Sequence, residues 1–206
     1  MPDFELEKTV IGPVAGIDEA GRGPWAGPVV AGAVIFLDRQ LPPELLNGLD
    51  DSKKLTPKKR EYLYHLLREE EAKGHLCIGI GEASAEEIDR LNILQATFLA
   101  MHRAAEKLKV KPQTALIDGN KIPKDFLCEA RWVVKGDGRS LSIAAASIAA
   151  KVTRDRLMTE FAQKYPYYGF EKNAGYGVKE HVEGLKKYGI TPIHRRSFRP
   201  IKELAA

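Results

Sequence analysis

Along the chain, short apolar runs alternate with longer stretches in which apolar residues return every three or four positions. "PVAGID" and "PVVAGAVIFL" read as strands, joined by a Gly/Pro-rich connection too short for a crossover helix, so an antiparallel pair is expected. "TPKKREYLYHLLREEEAKG" reads as a helix, with Thr56 as its cap, Pro57 in its first turn and Gly74 closing it. In "HLCIGIGE" the alternation of Leu76, Ile78 and Ile80 predicts a half-buried strand. Ser84 and Glu87 form a capping box ahead of a short helix. "NILQATFLAMHRAAEKLKV" sets Ile93, Leu94, Phe98, Met101, Ala105 and Leu108 at helical spacing. "TALIDGN" and "RWVVKGDG" each read as strand then turn. "SLSIAAASIAAKVTRDRLMTEFAQKY" is a long helix whose Ala- and Ser-rich first half suits close packing on a sheet, and "VKEHVEGLKKYG" is a final helix. The sum is an α/β domain: a mixed five-stranded sheet flanked by helices, opening on a hairpin and continuing through helical crossovers.

Size and composition narrow this little. The 206 residues suit one domain, and 44% hydrophobic with 29% charged residues makes the chain globular. Charge is more telling in its distribution than in its formal net value of +4. From Lys151 onward there are 12 Lys or Arg against 6 Asp or Glu; the preceding residues carry 20 against 22. A basic C-terminal quarter is compatible with a polyanion partner and equally with a solvated helix face. Cys77 and Cys128 lie in apolar neighbourhoods without Cys-x-x-Cys spacing, so neither zinc nor a disulfide framework is expected. The acidic "MPDFELEKTV" lacks the features of a signal peptide, and "SIAAASIAA" is too short to cross a bilayer. A cytoplasmic protein with no membrane association is expected.

Candidate chemistry begins with acids at the ends of strands. Asp18 ends the first, with Gly21 close behind; Asp118 precedes Gly119; Asp137 precedes Gly138. Ligand sites in open α/β sheets gather at strand ends. Convergent carboxylates cannot all ionise without compensation, and a divalent cation with hard oxygen ligands resolves the conflict. Two such ions could activate water and steady the leaving oxygen of a phosphodiester. Singly, each Asp-Gly is also an ordinary turn. Asp89 and Asp155 read as surface or capping acids. Adjacent strand residues face opposite ways, so Asp18 and Glu19 are expected to share a site through a turn of the backbone between them. Gly21 and Gly23 permit a turn and let main-chain N–H groups approach a ligand, while Arg22 between them offers a planar fork to phosphate.

"GIDEAGRGPWAGPVVAGAV", "DSKKL", "NILQAT", "LIDGN", "VVKGD", "SIAAASIAAKVTRD", "YPYYGFEKNAGYG" and "HRRSF" together resemble, in order, the bacterial ribonuclease HII family. The resemblance runs from about Val14 to Phe198. It implies a ribonuclease H-like fold, a single domain over 1–206 with a catalytic core of about 12–164, and a small basic helical extension of about 165–206. It further implies magnesium or manganese held by Asp18, Glu19, Asp118 and Asp137, two ions per site. The implied activity is cleavage of RNA in RNA–DNA hybrids and on the 5′ side of single ribonucleotides in duplex DNA, leaving 3′-hydroxyl and 5′-phosphate ends. That activity serves ribonucleotide removal from DNA. By the same resemblance Gly21, Arg22 and Gly23 contact the ribonucleotide backbone and Tyr176 lies against the neighbouring sugar. Ser52, Lys53, Lys54, Asn92 and Gln95 are expected as further backbone contacts, the lysines equally as a solvated patch. Asn173 and Ala174 stand where relatives often carry His-Lys, which removes one basic contact. "RPIKELAA" is unlike the sliding-clamp-binding peptide of some archaeal relatives, and a monomer is expected. The alternative is a non-catalytic nucleic-acid-binding module built on the basic C-terminal region; acids that converge would argue against it, because they repel phosphate.

Overall fold

The computed structural model describes residues 1–204; the last two positions of the expected extension and of the C-terminal peptide lie outside the described residues. Five strands, β1 (Val14–Ala20), β2 (Val29–Phe36), β3 (Leu76–Ala83), β4 (Thr114–Asp118) and β5 (Glu129–Val133), form one sheet in the order β3-β2-β1-β4-β5. The β1–β2 and β2–β3 pairs are antiparallel, whereas β4 pairs parallel with β1 and β5 parallel with β4. The helices are α1 (Glu5–Lys8), α2 (Pro43–Leu46), α3 (Pro57–Ala72), α4 (Ala85–Leu91), α5 (Ile93–Glu106), α6 (Leu141–Lys164), α7 (Phe170–Asn173), α8 (Lys179–Tyr188) and α9 (Arg199–Leu204). None is long and apolar enough to cross a membrane among the described residues.

Glycine decides how closely the helices lie on the sheet. On one face a Cβ at Gly79 or Gly81 would run into the carbonyls of Ala104 and Ala100, so α5 rests its backbone directly on β3. On the other, Gly16 and Gly32 face the backbone of α6 at Ser142–Ile143 and Ala146. Small residues on both partners allow such an approach where larger ones would hold the layers about 10 Å apart. β3 is therefore buried on both faces over most of its length, not half-buried as its alternation suggests: Cys77 faces α5, and Leu76 and Ile78 face the α3–α6 side. The stripe that α5 buries is Ala96, Ala100 and Ala104 together with the expected Met101 and Ala105, with Leu108 buried just beyond its end and Ile93, Leu94 and Phe98 at its margin. In α6 every residue from Leu141 to Ala150 is buried, because α3 covers the side away from the sheet.

The predicted caps are present. Thr56 accepts from the Lys59 N–H, and Ser84 and Glu87 close a reciprocal box. The helix over 179–188 is not the last, since α9 follows it. Helices of four residues such as α1, α2 and α7 are too short to show a period in sequence. Beyond α6 the chain has its own apolar cluster, in which Met158, Tyr168, Phe170, Leu185 and Ile201 gather around Ala26 from the β1–β2 connection. That cluster fastens the C-terminal helices to the loop beginning at Gly21.

Candidate active site

β1 does not turn between Asp18 and Glu19. The ladder to β2 continues through Asp18↔Gly32, Glu19↔Ala31 and Ala20↔Val30, so the expected turn is absent and the two side chains leave opposite faces. Asp18, only 5% exposed, lies on the α6 side near the Ser147 hydroxyl. Glu19 lines a cavity of about 470 Å³ with Leu94, Thr97, Phe98 and Met101 of α5, and with Asp118. Both can meet Asp118 because it is the last residue of the neighbouring parallel strand, at the sheet's edge, where both faces are within reach. Gly119 then turns away with φ +104°, and the Gly136 N–H donates to Asp118 Oδ1 at 2.7 Å. That bond ties β4 to the 3-10 turn Gly136–Gly138, which carries Asp137 at the entry to α6. The acids predicted from separate strand ends thus gather on one edge.

Their charges conflict. Burial, then the charges of Glu19 and Asp118, hold Asp18 well above the usual carboxylate range. Glu19 is raised by burial and by Asp118, against the pull of Arg22. Asp137 is raised by burial and by Asp118 and Asp51. Lys53 is the compensating cation: burial works against its charge, but Asp18, Asp51, Asp137 and Asp118 together raise its pKa. The donors available here are hard carboxylate oxygens, which suits a magnesium-class ion. Among the described residues no three His, Cys, Asp or Glu side chains already form a metal cage. The acids stand around the site in mutual repulsion, which an added cation would relieve.

The Gly21–Gly23 loop borders this edge. Glu19 and Arg22 line both the cavity above and a second one of about 350 Å³, which includes Gly21, Gly23, Ser52, Lys53 and Tyr176. The Arg22 guanidinium folds back on Glu19 at 3.3 Å. Gly21 has φ +95°, and a side chain there would overlap the Arg154 guanidinium. The Tyr176 ring, half exposed, packs toward Gly23, with Cε1 at 3.4 Å from where a Cβ would stand.

The remaining predicted contacts divide. Ser52 is buried and accepts a 2.8 Å bond from Ser147, so it supports the Asp18 side of the site from within. Lys54 pairs with Asp50 at 3.1 Å. The Asn92 side-chain oxygen caps α5 by accepting from the Leu94 and Gln95 N–H groups. Gln95 lines a neighbouring groove with His102, Lys121 and Lys124 and is not drawn in among the acids. Asp155 pairs with Lys151 at 2.6 Å, and Asp89 accepts from Arg196 and Ser197, in keeping with the surface and capping roles expected of them. Sequence reasoning passed over Asp51, Ser147, Arg154 and Arg195. The two arginines, 1% and 0% exposed, were counted with the basic surface. Helical period would have found Arg154, which shares a buried face with Ser147, Ala150 and Met158.

A family model described as Ribonuclease HII matches residues 15–201. A Ribonuclease HII of Paramagnetospirillum magneticum is 55% identical over 203 residues, which span 98% of this chain and 98% of that protein. The solved ribonuclease H2 of Pyrococcus horikoshii OT3 is 31% identical with a TM-score of 0.74, covering 94% of this chain and 97% of that one. A chain of the PCNA:RNase HII complex from Archaeoglobus fulgidus is 28% identical with a TM-score of 0.69, covering 91% and 95%.

Proposed function

Since the chain belongs to the ribonuclease HII family and has its ribonuclease H-like fold, we propose that this nuclease hydrolyses the RNA strand of RNA–DNA hybrids. We read it further as cutting on the 5′ side of a ribonucleotide embedded in duplex DNA, leaving a 3′-hydroxyl and a 5′-phosphate. The observation that carries this reading is the mutual charge of Asp18, Glu19 and Asp118 with Asp137 nearby, beside a glycine-rich loop. A pure binding module gains nothing from acids that repel its ligand.

In this reading Asp18, Glu19, Asp118 and Asp137 would hold divalent cations, magnesium or manganese, which when bound in a pair activate water and neutralise a leaving oxygen. The protein's own residues handle recognition. Arg22 leaves Glu19 and offers its fork to a phosphate. The 2′-hydroxyl separates a ribonucleotide from its neighbours, and a glycine backbone can both donate to it and accept from it. The Tyr176 ring lies flat on a deoxyribose and meets an added hydroxyl poorly, which selects the RNA-to-DNA junction. Lys53 moderates the acids until substrate arrives. The protein acts as a monomer.

The test is a labelled duplex with one ribonucleotide, incubated with magnesium, with manganese and with chelator. Wild type is expected to cut once, 5′ of the ribonucleotide, only with metal. Asp118→Asn is expected to lose about a hundred- to a thousandfold in rate while still binding the duplex, as removal of a principal electrostatic contributor does. Cleavage in chelator, or an active Asp118→Asn, would overturn the reading.

A further inference from the structure

Arg154 and Arg195 are buried without a carboxylate against either guanidinium among the described residues. Between them they donate seven hydrogen bonds, all to main-chain carbonyls. Arg154 holds Pro28, Ala26 and Ala174 at 3.0–3.1 Å. Arg195 holds Gly27 at 2.9 Å, Pro28 at 3.2 Å, Arg22 at 2.9 Å and Gly21 at 2.5 Å. The last two bonds have a geometric consequence. A trans peptide points its N–H opposite to its C=O. With the carbonyls of Gly21 and Arg22 drawn inward, the N–H groups of Arg22 and Gly23 face outward, and neither donates to a protein acceptor among the described residues. Successive outward N–H groups make an anion-binding concavity.

We infer that Arg195 is a positioning residue: gripping the Gly21 and Arg22 carbonyls from beneath, it aims the Arg22 and Gly23 N–H groups as a paired donor for an anionic or hydroxyl oxygen of the substrate. Only a fork with several N–H groups in fixed directions reaches four carbonyls at once, which a lysine cannot do. Burial, with Arg154 second, brings Arg195 down to about 9, still charged at neutral pH, so the loop sits over a cation that the protein leaves without an acid in contact. The aim of the loop and the position of Tyr176 are linked, since Arg154 holds Ala174 two residues before it.

This inference rests on the proposed nuclease reading for its substrate, but its donor pair is tested independently. Titrating inorganic phosphate into the wild-type protein in chelator is expected to move the backbone amide resonances of Arg22 and Gly23; amides that stay still overturn the inference, whatever the enzyme cuts. Arg195→Lys keeps the charge and loses the fork. In chelator it is expected to lose about tenfold in the ratio of affinities for a ribonucleotide-containing duplex over an all-DNA duplex. Simple destabilisation would lower both affinities together and leave that ratio alone. A manganese-induced rise in melting temperature matching wild type would show that the acids are intact in the variant. Should Arg195→Lys fold, respond to manganese and keep the wild-type ratio, the inference falls; should it not fold, the wild-type amides decide. A wild type that cuts no hybrid with either metal sinks the nuclease reading instead, and leaves the phosphate titration standing.

Discussion

Asp18 shows why a site residue can be legible while its surroundings are not. Its place before Gly-Arg-Gly marks it as chemistry, yet the face it occupies follows from the ladder to β2, which runs on through Ala20. Its raised pKa has a sign that can be tested. The native carboxyl holds its proton to higher pH than the unfolded chain does, so the native state loses stability as pH rises from the unfolded value through the folded one. Asp18→Asn is therefore expected to make the protein more stable in chelator at neutral pH, by roughly 1–2 kcal/mol. A thermal melt should show about 2–4 °C for each kcal/mol in a chain of this size. The gain should shrink at pH 4, and added manganese should stabilise wild type but not the variant. A variant melting below wild type in chelator at pH 7 would contradict this. Arg195 makes the complementary point: sequence shows its charge, but only packing shows that the charge faces carbonyls and not solvent.

At the level of elements, caps and the places of the strands are legible because they are local, Thr56, Ser84 and Glu87 acting within four residues of themselves, whereas the two-sided burial of β3 is not. The layer spacing is not local. Gly32 lies against the Ala146 carbonyl of α6, more than a hundred residues away in the chain. Gly32→Ala must push α6 off the sheet or bend β2, and backbone on both sides leaves no cheap adjustment. A loss of roughly 2–4 kcal/mol is expected by chemical denaturation. Because α6 also carries Ser147 beside Asp18, activity should fall along with stability. The same substitution at Gly74, where nothing lies within 4 Å, has only its φ of +84° to oppose it and should be milder.

For the molecule as a whole, the C-terminal helices are tied to one another through a buried proton arrangement that packs against Trp25 of the β1–β2 connection. The Thr191 N–H donates to His194 Nδ1 at 2.8 Å, so the His194 proton sits on Nε2 and is donated to His181 Nε2 at 2.9 Å. His181 Nδ1 in turn donates to the Tyr176 carbonyl at 3.0 Å. Both imidazoles are required neutral, and burial, with His181 second, lowers His194 to about 4. A histidine with a lowered native pKa contributes stability that is present above about 6.5 and lost as pH falls toward 4. Acid should therefore release the 165–204 region first, with roughly 2–3 kcal/mol lost between pH 7 and pH 4. Tryptophan fluorescence should report it, because Trp25 lies against His181 with ring centroids 5.7 Å apart. His194→Gln should flatten that acid limb. An acid transition unchanged in the variant would assign it to the carboxylates instead.

The sequence by itself determined the strands and long helices, the acids at strand ends and the resemblance to one nuclease family, because each is written in local spacing or in residue order. Only the tertiary structure decided that Asp18 and Glu19 leave opposite faces yet both meet Asp118, that β3 is covered on both sides, and that two of the basic residues lie beneath the Gly21–Gly23 loop. The physical reason is the same in each case. Burial and charge environment are sums over neighbours that the chain brings from far along its length, and no window of consecutive residues contains them.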